Sequence, residues 1–202
     1  MIGNDIIDLG RADLRNRQRK QRYLSKIATA KEQLLVQNLG IEDQWVWLLW
    51  SIKESVYKII ARKEQKVRFA PKSIECLDIT SQGVHHQSIV RYEDVVYTTY
   101  SVITKDYIHT TGSDSSVPKE DIYSKIIGSN GSTHQSADIN HAIRSYCQSH
   151  LSHEGTDIKI MKDGFRIPRL YINGEEKGYV SISHDERFGA FVYFSCDGRL
   201  CT

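Results

Sequence analysis

Apolar and polar residues alternate along this chain in ways that predict both strands and helices. Residues 1–9 are mostly apolar and end at Gly10, which is typical of a buried strand followed by a turn. In Gln44–Lys63, apolar and aromatic residues recur at steps of three and four, so this segment is the strongest predicted helix. The chain therefore opens with a strand and places a long amphipathic helix some forty residues later.

The segment between them, from Arg11 to about Asn38, is helical in character but contains a break near Thr29. Thr29 and Glu32 have the spacing of a capping box, in which each residue bonds the other's backbone N–H. We therefore expect a second helix to begin there.

Beyond residue 70 the pattern changes to short β-rich runs separated by polar turns. Strands are predicted at Ser73–Ile79, Ser88–Tyr92, Val95–Ile103, Tyr107–Thr111, Asp157–Met161, Arg169–Ile172, Tyr179–Ser183 and Phe188–Phe194. A short helix is expected at Ile139–Leu151, and Gly112–Asp138 is rich in Ser, Gly, Asp and Thr, as linkers are.

This order predicts an α+β fold made of two pseudo-twofold-related halves, each a small antiparallel sheet packed with helices. Residues 1–112 form the expected first half, 113–138 a linker or mobile loop, and 139–202 the second half. Clefts between such halves are common ligand sites.

Composition narrows the class of protein. The 202 residues are 40% hydrophobic and 26% charged with a net charge of +2, as in a globular protein with a real core. The four cysteines form no CxxC pair, and no apolar run approaches the ~18 residues of a membrane span. We expect a cytoplasmic protein with reduced cysteines and no membrane association.

Three side chains could hold a divalent metal against a diphosphate and move a proton beside it. Asp5 lies in the apolar first strand, where a carboxylate without a partner is costly to desolvate. Glu54 and Lys58 are four residues apart and share one face of the long helix, while Lys53 points about 100° away. Lys53 could contact a phosphate or serve as a solubilising charge.

Near the C-terminus, Ser183, His184 and Asp185 suggest a catalytic triad, but neighbours on a strand point to opposite faces and cannot form a relay. A histidine beside a serine hydroxyl is better suited to holding a phosphate. No glycine-rich nucleotide loop of the GxGxxG or GxxxxGK[ST] kind is present.

Together these segments resemble the 4′-phosphopantetheinyl transferase superfamily, whose members carry a Gly-x-Asp strand, a Trp/Phe-x-x-Lys-Glu-x-x-x-Lys helix and a Ser-His element. The matching residues here are Gly3–Asp5, Trp50–Lys58 and Ser183–His184. The resemblance implies Mg²⁺-dependent transfer (Mn²⁺ is possible) of 4′-phosphopantetheine from coenzyme A to a serine of an acyl or peptidyl carrier protein, as in fatty acid, polyketide or nonribosomal peptide biosynthesis.

The same resemblance implies roles for individual residues. Asp5 and Glu54 would hold the metal, Glu54 would take the serine proton, and Lys58 would stabilise the leaving phosphate. The coenzyme A phosphates would be bound by Lys53, Lys58, Ser183 and His184. The family's Gly-Lys-Pro turn reads Arg166-Ile167-Pro168 here, so Arg166 or Arg169 would replace its lysine. A second acid, which the long enzymes of the family carry two residues after the aspartate, is replaced by Ile7.

Two architectures fit this order of motifs. In the first, both halves of a long enzyme lie in one circularly permuted chain, so His184 faces Asp5 of the same monomer. In the second, a short holo-acyl-carrier-protein synthase unit, normally trimeric, carries a large insertion, and His184 reaches a neighbour. The first is favoured because the intervening region itself resembles half-domain strands.

A basic stretch from Arg11 to Lys26 contains seven basic residues and one acid. Its Arg11, Arg15, Arg19 and Arg22 would dock an acidic carrier protein. Two other functions remain open: a catalytically degenerate relative that only binds coenzyme A, and a nucleic-acid-binding protein that uses this stretch. Near-neutral net charge and few interleaved aromatics count against nucleic acid.

Overall fold

The computed structural model describes residues 1–10, 17–37, 44–65, 68–128, 135–151 and 156–195, and for 17–21 the backbone alone. The described part of the first half contains one strand, three α-helices and a four-strand meander. Its elements are β1 (Ile2–Asp8), α1 (Arg17–Ile27), α2 (Ala30–Gln37), α3 (Trp45–Glu64), β2 (Ile74–Gln82), β3 (His85–Tyr92), β4 (Val95–Ile103) and β5 (Tyr107–Asp114). These strands form one antiparallel sheet in the order β1-β5-β4-β3-β2.

The described part of the second half also combines antiparallel sheets with a helix, and each of its two sheets has three strands. Its elements are β6 (Tyr123–Gly128), α4 (Gln135–His150), β7 (Ile158–Lys162), β8 (Pro168–Ile172), β9 (Glu175–Glu176), β10 (Tyr179–Asp185) and β11 (Phe188–Phe194). One antiparallel sheet has the order β10-β11-β6 and the other β7-β8-β9. Helix α4 packs on β11 and shares an apolar core with it that includes Ile139 and Phe191.

All seven residues of β1 are buried, because the strand is covered on both faces. Gly3, Asp5 and Ile7 face α3, whereas the alternate residues Ile2, Asn4, Ile6 and Asp8 face the second half. The strand therefore joins the two halves and presents different side chains to each.

Helices α2 and α3 are tied together by a buried acid. Glu32 accepts the backbone N–H of Thr29 at 2.8 Å, and Thr29 Oγ1 accepts that of Glu32 at 3.3 Å, so the predicted capping box is confirmed. The other carboxylate oxygen of Glu32 lies 2.6 Å from Lys53 Nζ and accepts the N–H of Cys76 at 2.7 Å. Burial lowers the pKa of Lys53, and the charge of Glu32 opposes that shift.

The predicted α+β class with antiparallel sheets is confirmed, and the pseudo-twofold relation between the halves stays a prediction. The prediction of a linker or mobile loop over 113–138 is wrong for Tyr123–Gly128, which forms β6 and pairs with β11. Polar residues around this short apolar patch masked a strand that lies at a sheet edge. No helix within the described ranges is long and apolar enough to span a membrane.

We expect Lys53→Met to destabilise the protein by about 3 kcal/mol, because it leaves the Glu32 carboxylate buried without its counter-charge. The free energy of unfolding in urea measures the effect. The double variant Glu32→Gln/Lys53→Met removes both charges and should recover part of that loss. A loss below about 1 kcal/mol in the single variant would contradict a structural role for the pair.

His109 on β5 predicts a pH dependence of stability. Its side chain is only 5% exposed, and burial, reinforced by the charge of Lys58, lowers its pKa to about 4. In the unfolded chain the His109 imidazole binds a proton near pH 6.5, whereas in the folded protein it stays neutral down to about pH 4. The stability that comes from keeping this imidazole neutral is therefore complete above pH 6.5 and is lost as the pH falls towards 4. Between pH 7 and pH 4 the wild type should lose about 3 kcal/mol more than His109→Gln. If the free energy of unfolding falls by the same amount between pH 7 and pH 4 in both proteins, this assignment is refuted.

Candidate active site

The site depends on how closely α3 approaches β1. A Cβ atom placed on Gly3 would lie 2.1 Å from the carbonyl oxygen of Ser55, far inside any allowed contact. Only glycine permits this approach, since the opposing atom is backbone of a packed helix and cannot move aside. The contact brings the α3 face that carries Glu54 and Lys58 against the strand that carries Asp5.

Asp5 is buried beside Lys58. Its Oδ1 lies 3.7 Å from Lys58 Nζ, which also donates to the carbonyl of Asn4 at 2.6 Å. Its Oδ2 is buried and has no hydrogen-bond partner among the described residues. Burial raises the pKa of Asp5 to about 7, with Lys58 lowering it and Glu54 raising it. A carboxylate in this condition is suited to a cation that the protein itself does not supply.

Glu54 and Lys58 both line a cavity of about 390 Å³ between the halves. Burial raises the pKa of Glu54, and Lys58 opposes the shift. A carboxylate with a raised pKa is a better proton acceptor near neutral pH than an ordinary glutamate. The spacing of four residues therefore presents the Glu54 carboxylate and the Lys58 side chain to the same cavity.

The opposite wall of the cavity includes β10, where alternate residues serve different purposes. Ser181 Oγ accepts the N–H of Asn4 at 3.1 Å, and Ser183 Oγ accepts Asn4 Nδ2 at 2.9 Å, so both hydroxyls fasten β10 to β1. His184, by contrast, is exposed and lines the cavity. The alternation that excluded a triad thus separates the anchoring serines from the histidine.

Charged groups join the C-terminal ends of β1 and β10. Arg187 donates to both carboxylate oxygens of Asp8, at 2.8 and 2.6 Å. Asp185 accepts the backbone N–H of Asp8 at 2.9 Å, and its charge contributes to the raised pKa of Asp5. The guanidinium of Arg187 lowers the pKa of Asp8. Together these bonds hold β10 in place along β1.

A tight turn between β7 and β8 brings a second cation to the cavity. The Asp163 carboxylate accepts the N–H groups of Phe165 and Ile167, at 2.9 and 3.0 Å, and its carbonyl accepts that of Arg166. Arg166 adopts a left-handed conformation, with φ of 63°, and lines the cavity. The turn therefore directs Arg166 inward at a cost in backbone strain that the Asp163 bonds offset.

Three of the predicted coenzyme A contacts do not reach the cavity. Lys53 is fully buried and donates to the carbonyls of Pro71 and Ile74 besides pairing with Glu32, so it is a structural residue. Arg169 pairs with Asp163 and Glu176, and Ser183 is bound to Asn4. The prediction that these three side chains contact a coenzyme A phosphate is therefore corrected. Other groups of the protein already bind each side chain, and none of the three lines the cavity.

The predicted docking residues fall mostly beyond the described part of the chain. Arg11 and Arg15 lie outside it, as does the side chain of Arg19, and Arg22 is exposed on α1. Carrier-protein docking at these positions stays a prediction.

Sequence reasoning missed several residues that the fold brings to the cavity. Lys162 and Arg62 line it, and Asp185 lies close enough to Asp5 to influence its charge. Arg62 had a detectable pattern, since it follows Lys58 by four residues on the same helix face. Lys162 had none, because only the pairing of β7 with β8 places it near the Arg166 turn.

The arrangement fits a divalent metal held with help from a substrate. Two coupled carboxylates, one with an unpartnered buried oxygen, provide the hard oxygen ligands that Mg²⁺ prefers, and water and phosphate complete such sites. Within the described ranges no group of three or more His, Cys, Asp and Glu side chains could hold a metal alone. Ile7, where a further acid would sit, is buried against α3 in the core.

Comparison with known families decides the assignment. A family model of the 4′-phosphopantetheinyl transferase superfamily matches residues 1–111, more than half of the chain. The chain belongs to the 4′-phosphopantetheinyl transferase superfamily. Searches of curated proteins and of solved structures returned no significant match.

Membership in the phosphopantetheinyl transferase superfamily confirms the resemblance read from the three motifs. The family transfers phosphopantetheine and uses coenzyme A as its substrate. The matched region includes Asp5, Glu54 and Lys58, and it ends before Arg166 and His184. The second-half wall is therefore known from the geometry of this chain alone.

We expect Gly3→Ala to cost at least about 3 kcal/mol of stability and to abolish transfer, because its methyl group would force α3 away from β1. Urea unfolding and a transfer assay measure the two effects. Gly112→Ala is the matched control, since a Cβ there lies 3.4 Å from Ser55 Cβ, an ordinary contact with the same helix turn. Equal tolerance of both substitutions would contradict the proposed dependence on close approach.

Proposed function

We propose that this protein transfers 4′-phosphopantetheine from coenzyme A to a serine of an acyl or peptidyl carrier protein, in the manner of holo-acyl-carrier-protein synthases. The supporting observation is the single cavity lined by Glu54, Lys58, Arg166 and His184, with Asp5 beside Lys58. The cavity places one carboxylate, Glu54, among several cations, and Asp5 lies outside the lining but 3.7 Å from Lys58 Nζ.

Asp5 and Glu54 would hold Mg²⁺ (or Mn²⁺), with water and a substrate phosphate in the remaining positions. When bound, the metal would neutralise the pyrophosphate and make its phosphorus more electrophilic. Its charge would also keep Asp5 ionised despite the burial that raises the pKa of that group.

The chain's own residues would then move the proton and balance the charge. The carrier serine Oγ attacks the β-phosphorus of coenzyme A, and its proton passes to Glu54, directly or through a water. The bond from that phosphorus to the bridging oxygen breaks, and 3′,5′-ADP leaves. Lys58 stabilises the charge that develops on the departing phosphate, and such electrostatic positioning supplies most of the rate in phosphoryl transfer.

The electrostatics of the cavity suit a polyanionic nucleotide. Its lining includes four permanent cations and one acid, a net charge of +3 from 4 − 1, apart from His184. The cations are Lys58, Arg62, Lys162 and Arg166, and the acid is Glu54. We infer that Arg166 and His184 contact coenzyme A phosphates, with Arg166 taking the place of the missing lysine at Ile167.

Both halves of the same molecule contribute residues to the described cavity lining, since β10 packs on β1 through Asn4, Ser181 and Ser183. This supports the permuted single-chain architecture over the short trimeric unit, and we propose a monomer. The acidic surface of carrier proteins would be met by the basic stretch around Arg22.

We expect Glu54→Gln and Glu54→Ala to lower transfer about a hundredfold or more while the fold stays intact, because the side chain is partly exposed and lies in the cavity. The assay incubates protein, coenzyme A and Mg²⁺ with a panel of apo-carrier proteins and detects the added arm by mass spectrometry. Glu120→Gln, at an exposed acid outside the cavity, should behave as the wild type.

Each result has a stated meaning. Near-normal turnover of the Glu54 variants would overturn the role of Glu54 as proton acceptor. Undiminished transfer in the presence of EDTA would overturn the requirement for a divalent metal. Coenzyme A binding without transfer to any carrier would favour the degenerate relative. A mobility shift with DNA or RNA, but none with an acidic carrier, would favour the nucleic-acid-binding alternative.

A further inference from the structure

Arg62 links the catalytic helix to two separate strands of the second half. It lies on α3 one turn after Lys58, and its side chain is only 6% exposed. Its Nη2 donates to the carbonyl of Pro168 at 2.9 Å and to that of Val180 at 2.7 Å. One guanidinium therefore fixes the distance from α3 to both β8 and β10.

Each of these two strands carries or adjoins a second-half residue that lines the cavity. Pro168 begins β8 directly after the turn that presents Arg166, and Val180 precedes His184 by four residues on β10. Any change in the Arg62 bridge would therefore shift Arg166 and His184 relative to Glu54 and Lys58.

The charge of Arg62 is not neutralised by a neighbouring acid. No described carboxylate lies within ion-pair distance of it, and the closest acids of the second half, Asp163 and Glu176, are bound by Arg169. Its Nη1 is buried and finds no hydrogen-bond partner in the described structure. The guanidinium also packs over the ring of Tyr179, at 5.4 Å from the centroid.

Burying an unpaired charge costs stability, whereas a long apolar side chain could fill the same space without that cost. Fold stability alone therefore does not explain an arginine at this position. The cost shows in the pKa of Arg62, which burial lowers to about 10. An anionic substrate in the adjoining cavity would recover part of this cost, since unlike charges attract strongly where water is excluded.

We propose that Arg62 is a positioning residue for coenzyme A: its two carbonyl bonds align the phosphate-binding wall with the catalytic helix, and its unpaired charge raises the affinity for the polyanionic nucleotide. The inference rests on the proposed function for its substrate. It extends that function by assigning a role to a residue outside the three family motifs.

The experiment compares Arg62→Lys, which keeps the charge but not the two-carbonyl bridge, with Arg62→Met, which removes both. Arg91→Met is the control, because it removes an arginine that pairs with Glu75 on the first-half sheet and lies outside the cavity lining. Calorimetry gives the Kd for coenzyme A with Mg²⁺, steady-state transfer gives kcat and KM, and urea unfolding reports the folded fraction.

Arg62→Lys should keep the Kd within about threefold of the wild type but lower kcat about tenfold, because misplaced reacting groups slow the chemical step. Arg62→Met should raise the Kd about tenfold or more and lower kcat as well. Arg91→Met should leave both the Kd and kcat within about threefold of the wild type.

A folded Arg62→Met protein with wild-type Kd and kcat would overturn the proposal, as would equal effects of Arg62→Met and Arg91→Met. If the wild type binds coenzyme A but modifies no carrier, the transfer proposal fails. The Kd of Arg62→Met for coenzyme A would still test the role of the Arg62 charge. An unchanged Kd would refute that role, and a raised Kd would support it. If the wild type binds no coenzyme A, both proposals fall.

Discussion

The structure depends on a contact between two backbones. Gly3 meets the carbonyl of Ser55 at a distance that no other residue type would allow. Because α3 can lie so close to β1, a carboxylate on the strand and a lysine on the helix come within 3.7 Å across different elements. The glycine of the Gly-x-Asp motif thus has a steric reason, and the aspartate two residues later owes its position to that glycine.

The other face of β1 carries an equally specific set of contacts. Asn4 bonds two serines of β10, and Asp8 bonds Arg187 at the turn that follows. These bonds are polar and buried, so a shift of β10 by one residue would leave several groups without partners. Register, rather than apolar burial alone, therefore sets where His184 lies relative to Glu54.

Much of this fold could be read from periodicity, and the exceptions have physical reasons. The spacing of Thr29 and Glu32 predicted a capping box that is present, but it could not show that Glu32 also neutralises Lys53 across two helices. The family motif predicted a phosphate contact for Lys53, and only tertiary packing revealed that this side chain is buried. Strand β6 escaped notice because it lies at a sheet edge among polar residues.

The motifs located Asp5, Glu54 and Lys58, since strand and helix periods determine which side chains share a face. The helix period also places Arg62 on the face of Lys58, but the bonds of Arg62 to the second half and the position of Lys162 depend on contacts between distant segments.

The Lys58 ammonium group has a further consequence. It donates to the carbonyl of Asn4 and faces Asp5, so the fold itself sets its orientation. In the proposed transfer, a phosphate would therefore meet a lysine whose rotamer entropy is lost during folding rather than during binding. Because the same Asn4 anchors β10 through its amide, folding of the seam between the halves and readiness of the lysine become one event.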